Sequence, residues 1–114
     1  MIAVIFEFTA APERRDEYLE LAAGLNQAVK DFDGFLGIER FQSLSSPDRY
    51  LSLSFWRDEE AVRKWRNLQQ HRAAQAKGRG GIFSAYRLRI CSVIRDYGMR
   101  ERGEAPRDSI AAHG

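Results

Sequence analysis

The chain has 114 residues, which is enough for one domain and too few for two. Hydrophobic residues make up 44% and charged residues 30%, a balance typical of a globular protein and not of a disordered chain. The formal net charge is only +2, which argues against a nucleic-acid partner. The apolar N-terminus has no basic leader and is too short to span a membrane. The single cysteine, Cys91, cannot form an intrachain disulfide, which fits a reducing compartment. Together these features lead us to expect a cytoplasmic protein without a membrane partner.

The first part of the chain predicts a strand followed by a helix. Residues 2–9 are rich in β-branched and aromatic side chains, as in a buried strand. Pro12 suits the first turn of a helix, because its missing N–H has no partner there, and Gly34 suits a left-handed position after the end of the helix. Between them an apolar stripe at three- and four-residue spacing predicts a helix over about residues 12–31. The stripe consists of Tyr18, Leu21, Ala22, Leu25, Val29 and Phe32.

The middle of the chain predicts a hairpin. Two apolar or alternating segments, residues 35–44 and 49–56, are joined by the turn sequence Ser-Ser-Pro-Asp at 45–48. In the second segment apolar and polar residues alternate, so we expect one face of the hairpin to tolerate polar groups. The alternating residues are Leu51, Leu53 and Phe55 against Ser52 and Ser54.

A second helix is predicted after the hairpin. Asp58 is a suitable N-cap, and Glu59 and Glu60 follow in the turn where the helix dipole favours acidic residues. Glycines at positions 78, 80 and 81 end the helix. Its apolar stripe consists of Ala61, Val62, Trp65, Leu68, Ala73 and Ala76.

The last part of the chain predicts one more strand and a tail. Residues 83–96 alternate as in a strand. After Tyr97 the sequence becomes polar and charged, which is typical of an extended or mobile segment. The sequence therefore predicts a domain over residues 1–97 and a polar tail over residues 98–114.

The order of these elements is β-α-β-β-α-β, which predicts an α+β, ferredoxin-like fold with two helices on one face of a four-stranded antiparallel sheet. The other face would be apolar and uncovered, and such a face usually marks an interface, so we expect a homodimer that packs through it. Glu7 is a charge within an apolar strand, and we expect it to pair with Arg87 or Arg89. The side chains expected on the open face are Ala3, Ile5, Leu36, Ile38, Trp56 and Cys91.

Several short motifs occur in a characteristic order and spacing. Gly34 and Phe35 enter the second strand, and Ile94-Arg95-Asp96-Tyr97 follows the last one. Between them lie Ser54-Phe55-Trp56-Arg57-Asp58-Glu59-Glu60-Ala61 and the spaced residues Trp65, His71, Ala74-Gln75, Gly78-Arg79 and Tyr86. Over about residues 1–97 the chain resembles the antibiotic biosynthesis monooxygenase (ABM) family, and in particular a bacterial branch of it. The resemblance implies a dimeric α+β barrel with a ligand pocket between the sheet and its helices.

The resemblance also carries an expectation about function. The family includes monooxygenases and quinol oxidases that act on aromatic polyketides without a cofactor, and haem-degrading monooxygenases. It therefore implies a cofactor-independent monooxygenase that oxidises a small aromatic, phenolic or quinol-type substrate with O2. Two alternatives stay open: a haem-binding or haem-degrading monooxygenase, and a non-catalytic dimer that binds a small ligand.

The second helix supplies most of the candidate site residues. His71 is the one histidine within residues 1–97, and it can act as a general base, as a hydrogen-bond donor to a phenolate or as a haem ligand. Arg72 falls on the apolar face, where its charge must be paired, capped by solvent or used by a ligand. A cation there can also stabilise a reduced-oxygen species. We therefore take His71 and Arg72 as candidate catalytic residues. The candidate substrate-binding residues are Trp65, Leu68, Gln75, Arg79 and Tyr86.

Four of these residues also have a plain structural interpretation. Trp65 and Tyr86 fit core packing, His71 fits a helix-flank histidine bonded to backbone or water, and Arg79 fits a solvated side chain in a glycine-rich segment. Spacing along the chain does not separate the two interpretations.

A haem site is disfavoured by the sequence. Haem-degrading relatives combine an asparagine in the first strand, a tryptophan in the second helix and a histidine about ten residues beyond it. Here the first strand has no asparagine, His71 follows Trp65 by six residues, and the tenth position is Gln75, a poor iron ligand. No Cys/His cluster has metal-binding spacing and no phosphate-binding glycine motif precedes a helix, so we expect neither a metal nor a nucleotide cofactor.

Overall fold

The chain folds around one antiparallel sheet of four strands. A computed structural model describes the backbone of residues 1–114 and every side chain except those at positions 69, 70 and 78. The strands are β1 (Ile2–Ala10), β2 (Phe35–Gln42), β3 (Arg49–Trp56) and β4 (Phe83–Ser92), and their order across the sheet is β2-β3-β1-β4. This topology confirms the expected α+β, ferredoxin-like fold, in which β2 and β3 form a hairpin and β1 pairs with β3 and β4.

Helices cover one face of this sheet. They are α1 (Arg15–Val29), α2 (Glu59–Arg66) and α3 (Gln69–Lys77), with a 3-10 turn at Pro12–Arg14 and a π-helical turn at Gly78–Ile82. The polar tail is not wholly extended, because it contains a further short helix, α4 (Arg107–His113). In the described part of the chain, no helix has the length and apolar composition that crossing a membrane requires.

The second predicted helix is in fact two helices, α2 and α3. The break lies at Asn67, whose side-chain Nδ2 and backbone N–H both donate to the carbonyl oxygen of Arg63, at 2.9 and 3.1 Å. The next backbone N–H, that of Leu68, donates to the carbonyl oxygen of Trp65 at 3.1 Å and so leaves the α-helical pattern. Because the break shifts the phase of the helix, the apolar stripe predicted for a continuous helix is wrong beyond it. Ala61, Val62 and Trp65 are buried as predicted, whereas Ala73 and Ala76 are exposed and Ala74 is buried instead.

A bulge in β2 decides which of its side chains face the helices. Phe35 lies opposite Trp56, and Gly37 lies opposite the preceding residue of β3, so Leu36 is an extra residue in β2. An extra residue moves all later side chains to the other face, and Ile38 consequently points toward the helices. Trp56 faces the helices as well and is only 2% exposed. The expectation that Ile38 and Trp56 lie on the open face is therefore wrong.

The open face of the sheet is nevertheless largely apolar. Glu7 also lies on it and pairs with Arg89 at 3.0 Å, which confirms one of the two expected partners, and with Arg49 at 3.8 Å. The apolar side chains of this face, as the pairing register places them, are Ala3, Ile5, Phe41, Leu51, Leu53, Phe55, Ala85 and Cys91.

Two apolar clusters fill the layer between the sheet and the helices. The first contacts Ile2 and Val4 and the second contacts Phe6, so they lie toward opposite ends of β1. Burial of one large apolar side chain contributes about 1.5–3 kcal/mol, so the clusters hold the space between them in a fixed shape. The first cluster contains Val29, Trp56, Ala61, Val62 and Trp65, and the second contains Phe8, Tyr18, Ala22 and Ile82.

Candidate functional site

A cavity of about 450 Å³ lies between the sheet and α1, α2 and α3, where the two apolar clusters meet. Its walls are mostly aliphatic and aromatic, with a few polar groups, as is usual for sites that bind small molecules. Among the described residues that line it there is no aspartate or glutamate. Its polar and titratable lining residues are Tyr18, Arg40, Ser52, Ser54, His71, Arg72, Gln75, Arg79 and Tyr86.

A second hollow of about 580 Å³ lies between α1 and α3. Charged side chains such as Arg14, Glu17 and Lys77 line it, and Arg14 and Glu17 form an ion pair at 2.7 Å. This hollow has no aromatic wall among the described residues, and Arg14 is already paired with Glu17. The aromatic cavity is therefore the better candidate for a ligand site.

His71 lies in the cavity wall with its ring against Trp65. The ring centroids are 5.1 Å apart and the planes meet at 89°. The Nδ1 atom is buried and has no hydrogen-bond partner among the described residues. Burial lowers the pKa of His71 to about 4, and the nearby charges of Arg72 and Arg66 act in the same direction. The imidazole is therefore neutral at pH 7, and its buried Nδ1 keeps a hydrogen-bonding capacity that no described residue uses.

Arg72 is fixed next to His71 by two neutral amide groups. Its guanidinium donates to Asn67 Oδ1 at 2.7 Å and to Gln75 Oε1 at 3.0 Å. Amide oxygens orient the guanidinium but do not neutralise its charge. The site therefore combines a neutral imidazole with an uncompensated cation from the adjacent residue.

Arg79 and Tyr86 close the cavity at the side of β4. The Arg79 guanidinium donates to the Tyr86 hydroxyl at 2.8 Å, and the Tyr86 ring packs edge-on against Phe6. The structure thus brings together six of the sequence-predicted site residues, Trp65, His71, Arg72, Gln75, Arg79 and Tyr86. Leu68 does not join them, because it packs against the apolar cluster around Trp65 and is not part of the cavity wall.

Two serines in β3 form a polar part of the cavity wall that sequence analysis did not select. Ser52 and Ser54 are buried and point toward the helices. Ser54 Oγ accepts a hydrogen bond from Trp56 Nε1 at 2.9 Å, which fixes the indole in the wall. The alternation of serines with large apolar residues in β3 is the available signal, and the face that tolerates polar groups is the one that lines the cavity.

Arg40 in β2 is a further site residue that the sequence did not indicate. It lies directly opposite Ser52 in the β2–β3 pairing, and its guanidinium donates to Asn26 Oδ1 at 2.6 Å. Tyr18 lies close by, and burial raises the pKa of the Tyr18 hydroxyl while the positive charge of Arg40 opposes the rise. Arg40 faces the cavity because of the bulge at Leu36, and no pattern in the sequence reveals that bulge.

Comparison with solved structures agrees with this architecture. A Deinococcus radiodurans protein assigned to the antibiotic biosynthesis monooxygenases superimposes with a TM-score of 0.78 over 86% of this chain and 97% of its own, at 17% identity. The protein Rv0793 of Mycobacterium tuberculosis gives a TM-score of 0.77 over 85% and 98%, at 14% identity. At these identities the likeness establishes the fold alone.

Sequence comparison establishes the family. The jasmonate monooxygenase ABM of Pyricularia oryzae is 45% identical over 93 residues, which cover 82% of this chain but only 43% of that protein. The Bacillus subtilis protein YqjZ is 32% identical over 93 residues, which cover 82% of this chain and 79% of that protein. Residues 1–77 match the family model described as antibiotic biosynthesis monooxygenase, and this chain belongs to that family.

Proposed function

We propose that this protein is a monooxygenase that oxidises an electron-rich aromatic molecule, such as a phenol or a quinol, with O2 in the aromatic cavity. Family membership and the name of the Pyricularia oryzae relative, a jasmonate monooxygenase, support an oxygenase activity. The observation that carries the proposal is that neutral His71, whose Nδ1 has no hydrogen-bond partner among the described residues, lies beside the guanidinium of Arg72, which is bonded only to neutral amide groups in that part of the chain.

The first step of such a reaction is removal of a proton from the substrate, which makes it electron-rich enough to reduce O2. A neutral imidazole accepts this proton, although a base with a pKa of about 4 is weak on its own. The guanidinium of Arg72 compensates, because it stabilises the substrate anion and so lowers the substrate's own pKa. His71 and Arg72 therefore act as a pair in this proposal.

The second step is attack of the substrate anion on O2. For an anthrone, the ring carbanion forms a carbon–oxygen bond and gives a peroxide anion, whose charge the same guanidinium stabilises. Protonation and loss of water then break the O–O bond. One oxygen atom becomes the new carbonyl of the quinone and the other leaves as water with the two hydrogens of the substrate carbon. Atoms and electrons balance without a further reductant.

Oxygen uptake by the purified protein tests this proposal. With anthrone or a small hydroquinone as substrate, we expect wild-type protein to consume O2 and His71→Gln to lose about 10²–10⁴-fold in kcat/KM, the usual contribution of a positioned acid–base group. His113→Gln is the matched control, because it replaces the other histidine, which is exposed in α4 far along the chain from the site. Equal rates in His71→Gln and wild type would contradict the assignment of His71.

We propose that the reaction requires no haem, as the sequence indicates. His71 is the residue that would hold haem iron if haem did bind, because it is the histidine of the cavity wall, and haem would then supply the O2 activation. Adding hemin to the oxygen-uptake assay separates the two cases. We expect no change in rate and no Soret shift that depends on His71. A Soret shift that His71→Gln abolishes would favour the haem-degrading alternative, and ligand binding without any oxygen uptake would favour a non-catalytic binder.

A further inference from the structure

The charges around the aromatic cavity are distributed unevenly. Three arginines line it, and no aspartate or glutamate does so among the described lining residues. In contrast, the arginines that form ion pairs with described carboxylates all lie outside the cavity. These paired arginines are Arg14, Arg49, Arg57, Arg63 and Arg89.

Each cavity arginine is bonded to neutral groups. Arg72 donates to two amide oxygens, Arg79 to the hydroxyl of Tyr86, and Arg40 to the amide oxygen of Asn26. Neutral acceptors hold a guanidinium in place and leave its charge for another partner. Since the rest of the wall is mostly apolar and has no acidic side chain among the described lining residues, the cavity is a positively charged site with apolar surroundings.

Arg40 is the member of this set that water stabilises least. Arg72 and Arg79 are exposed, whereas Arg40 is half-buried between β2 and α1. A partly desolvated cation without a counter-charge is costly, and binding of an anion would remove that cost. Ser52, directly opposite Arg40 in the sheet and also in the cavity wall, offers a hydroxyl as a second donor to the same anion.

We infer that the substrate carries a carboxylate on its aromatic or aliphatic body and that Arg40, together with Ser52, binds this carboxylate. The inference rests on the proposed function, since it narrows the substrate class and leaves His71 and Arg72 for the reacting group. A planar guanidinium binds a carboxylate through two parallel hydrogen bonds, which also fixes the orientation of the substrate. A carboxylate carries a single charge, which one guanidinium matches, so it fits this mostly apolar wall better than a phosphate with nearly two charges.

A pair of ligands that differ only in charge tests the inference without any turnover. Isothermal titration calorimetry with 1-naphthylacetate and 1-naphthylacetamide compares an acid with its neutral amide of nearly the same shape. We expect wild-type protein to bind the acid at least about tenfold more tightly than the amide, which corresponds to about 1.4 kcal/mol. Inorganic phosphate at the same concentration is expected not to displace the acid.

Substitution of Arg40 locates the anion. Arg40→Gln is expected to weaken binding of the acid about tenfold or more and to leave binding of the amide within about twofold. Arg40→Lys keeps the positive charge and is expected to retain part of the preference for the acid over the amide. Arg63→Gln is the matched control, because Arg63 is exposed on α2 and paired with Glu60 outside the cavity, and it is expected to bind both ligands like wild type.

The outcomes separate this inference from the proposed function. Equal affinity for the acid and the amide, no binding of the acid, or equal weakening of both ligands by Arg40→Gln at unchanged thermal stability would overturn the carboxylate inference. None of these results depends on oxygen consumption. Failure of the proposed function would instead appear as absent O2 uptake while the preference for the acid and its dependence on Arg40 persist.

Discussion

His71 shows how far a single residue can be interpreted from the sequence. The sequence indicated this histidine because it is the one histidine of the domain and lies in a helical segment with Arg72. The structure adds its contact with Trp65, the unpaired Nδ1 and a lowered pKa, none of which follows from spacing. Arg40 and Ser52 were missed for the opposite reason: they are ordinary polar residues in strands, and only the pairing register turns them toward the cavity.

The lowered pKa of His71 predicts a pH-dependent stability. The folded protein binds the proton with a pKa of about 4 and the unfolded chain with a pKa of about 6.5. Between these values the unfolded state is protonated and the folded state is not, so stability falls as pH decreases from 6.5 toward 4 and is independent of this group above 6.5. After allowance for the exposed part of the ring, we expect His71 to account for about 1 kcal/mol of the loss between pH 7 and pH 5.

Urea unfolding at pH 7 and pH 5 measures this contribution. The free energy of unfolding of His71→Gln should decrease less between the two pH values than that of wild type, because the variant no longer has this titrating group. His113→Gln, in the exposed helix α4, should retain the wild-type decrease. If His71→Gln and wild type lose the same stability on acidification, the imidazole is not held neutral by its surroundings.

At the scale of secondary structure, the sequence predicted each strand and both helical regions. The residues that begin and end these elements carry clear signals, such as Asp58, whose side-chain Oδ1 accepts from the backbone N–H of Ala61 at 2.9 Å. The sequence failed where an irregularity inside one element changes which way its later side chains point. The bulge at Leu36 and the break at Asn67 each shift the phase of one element, and both shifts determine which side chains reach the cavity.

Two glycines predict opposite effects of the same substitution. Gly34, in the turn between α1 and β2, has a φ of 88°, and a Cβ there would lie 2.5 Å from the Cβ of Ala61. Gly34→Ala is therefore expected to lower the free energy of unfolding by about 1–3 kcal/mol. Gly24 lies inside α1, where a Cβ would meet no described atom within 4 Å. Gly24→Ala is expected to raise the free energy of unfolding by about 0.5–1 kcal/mol.

Thermal or urea unfolding of the two single variants tests both the expected decrease in the free energy of unfolding of Gly34→Ala and the expected increase for Gly24→Ala. The matched pair distinguishes a conformational requirement at Gly34 from a general effect of replacing glycine. Wild-type stability of Gly34→Ala would show that the turn between α1 and β2 tolerates a left-handed alanine and that α2 can move away from it.

At the scale of the whole molecule, the open face of the sheet remains to be covered. We propose that a second copy of this chain covers it, because the face is apolar and the clusters under the helices leave it without an internal partner. Leu53 lies on this face between Ile5 and Glu39, its neighbours on the adjoining strands. A lysine at position 53 would place a charge in an apolar interface while keeping an opposite charge beside it on β2.

Light scattering during size-exclusion chromatography measures the effect of this substitution. Wild-type protein is expected to elute at twice the monomer mass and Leu53→Lys at the monomer mass at the same concentration. Leu19→Lys is the matched control, because Leu19 is 50% exposed on α1, away from the open face, and it is expected to remain dimeric. Monomeric wild-type protein, or dissociation by both variants alike, would contradict an interface on the open face.

The position of the two tryptophans has a practical consequence. The chain has only Trp56 and Trp65, and both lie in the wall of the aromatic cavity, with ring centroids 6.1 Å apart. Trp65 also touches His71, and Trp56 is bonded to Ser54. All of the indole fluorescence of this protein therefore originates at the candidate site. Its emission serves as a built-in optical signal of occupancy, so screening of unlabelled compounds needs no attached dye and no knowledge of the reaction.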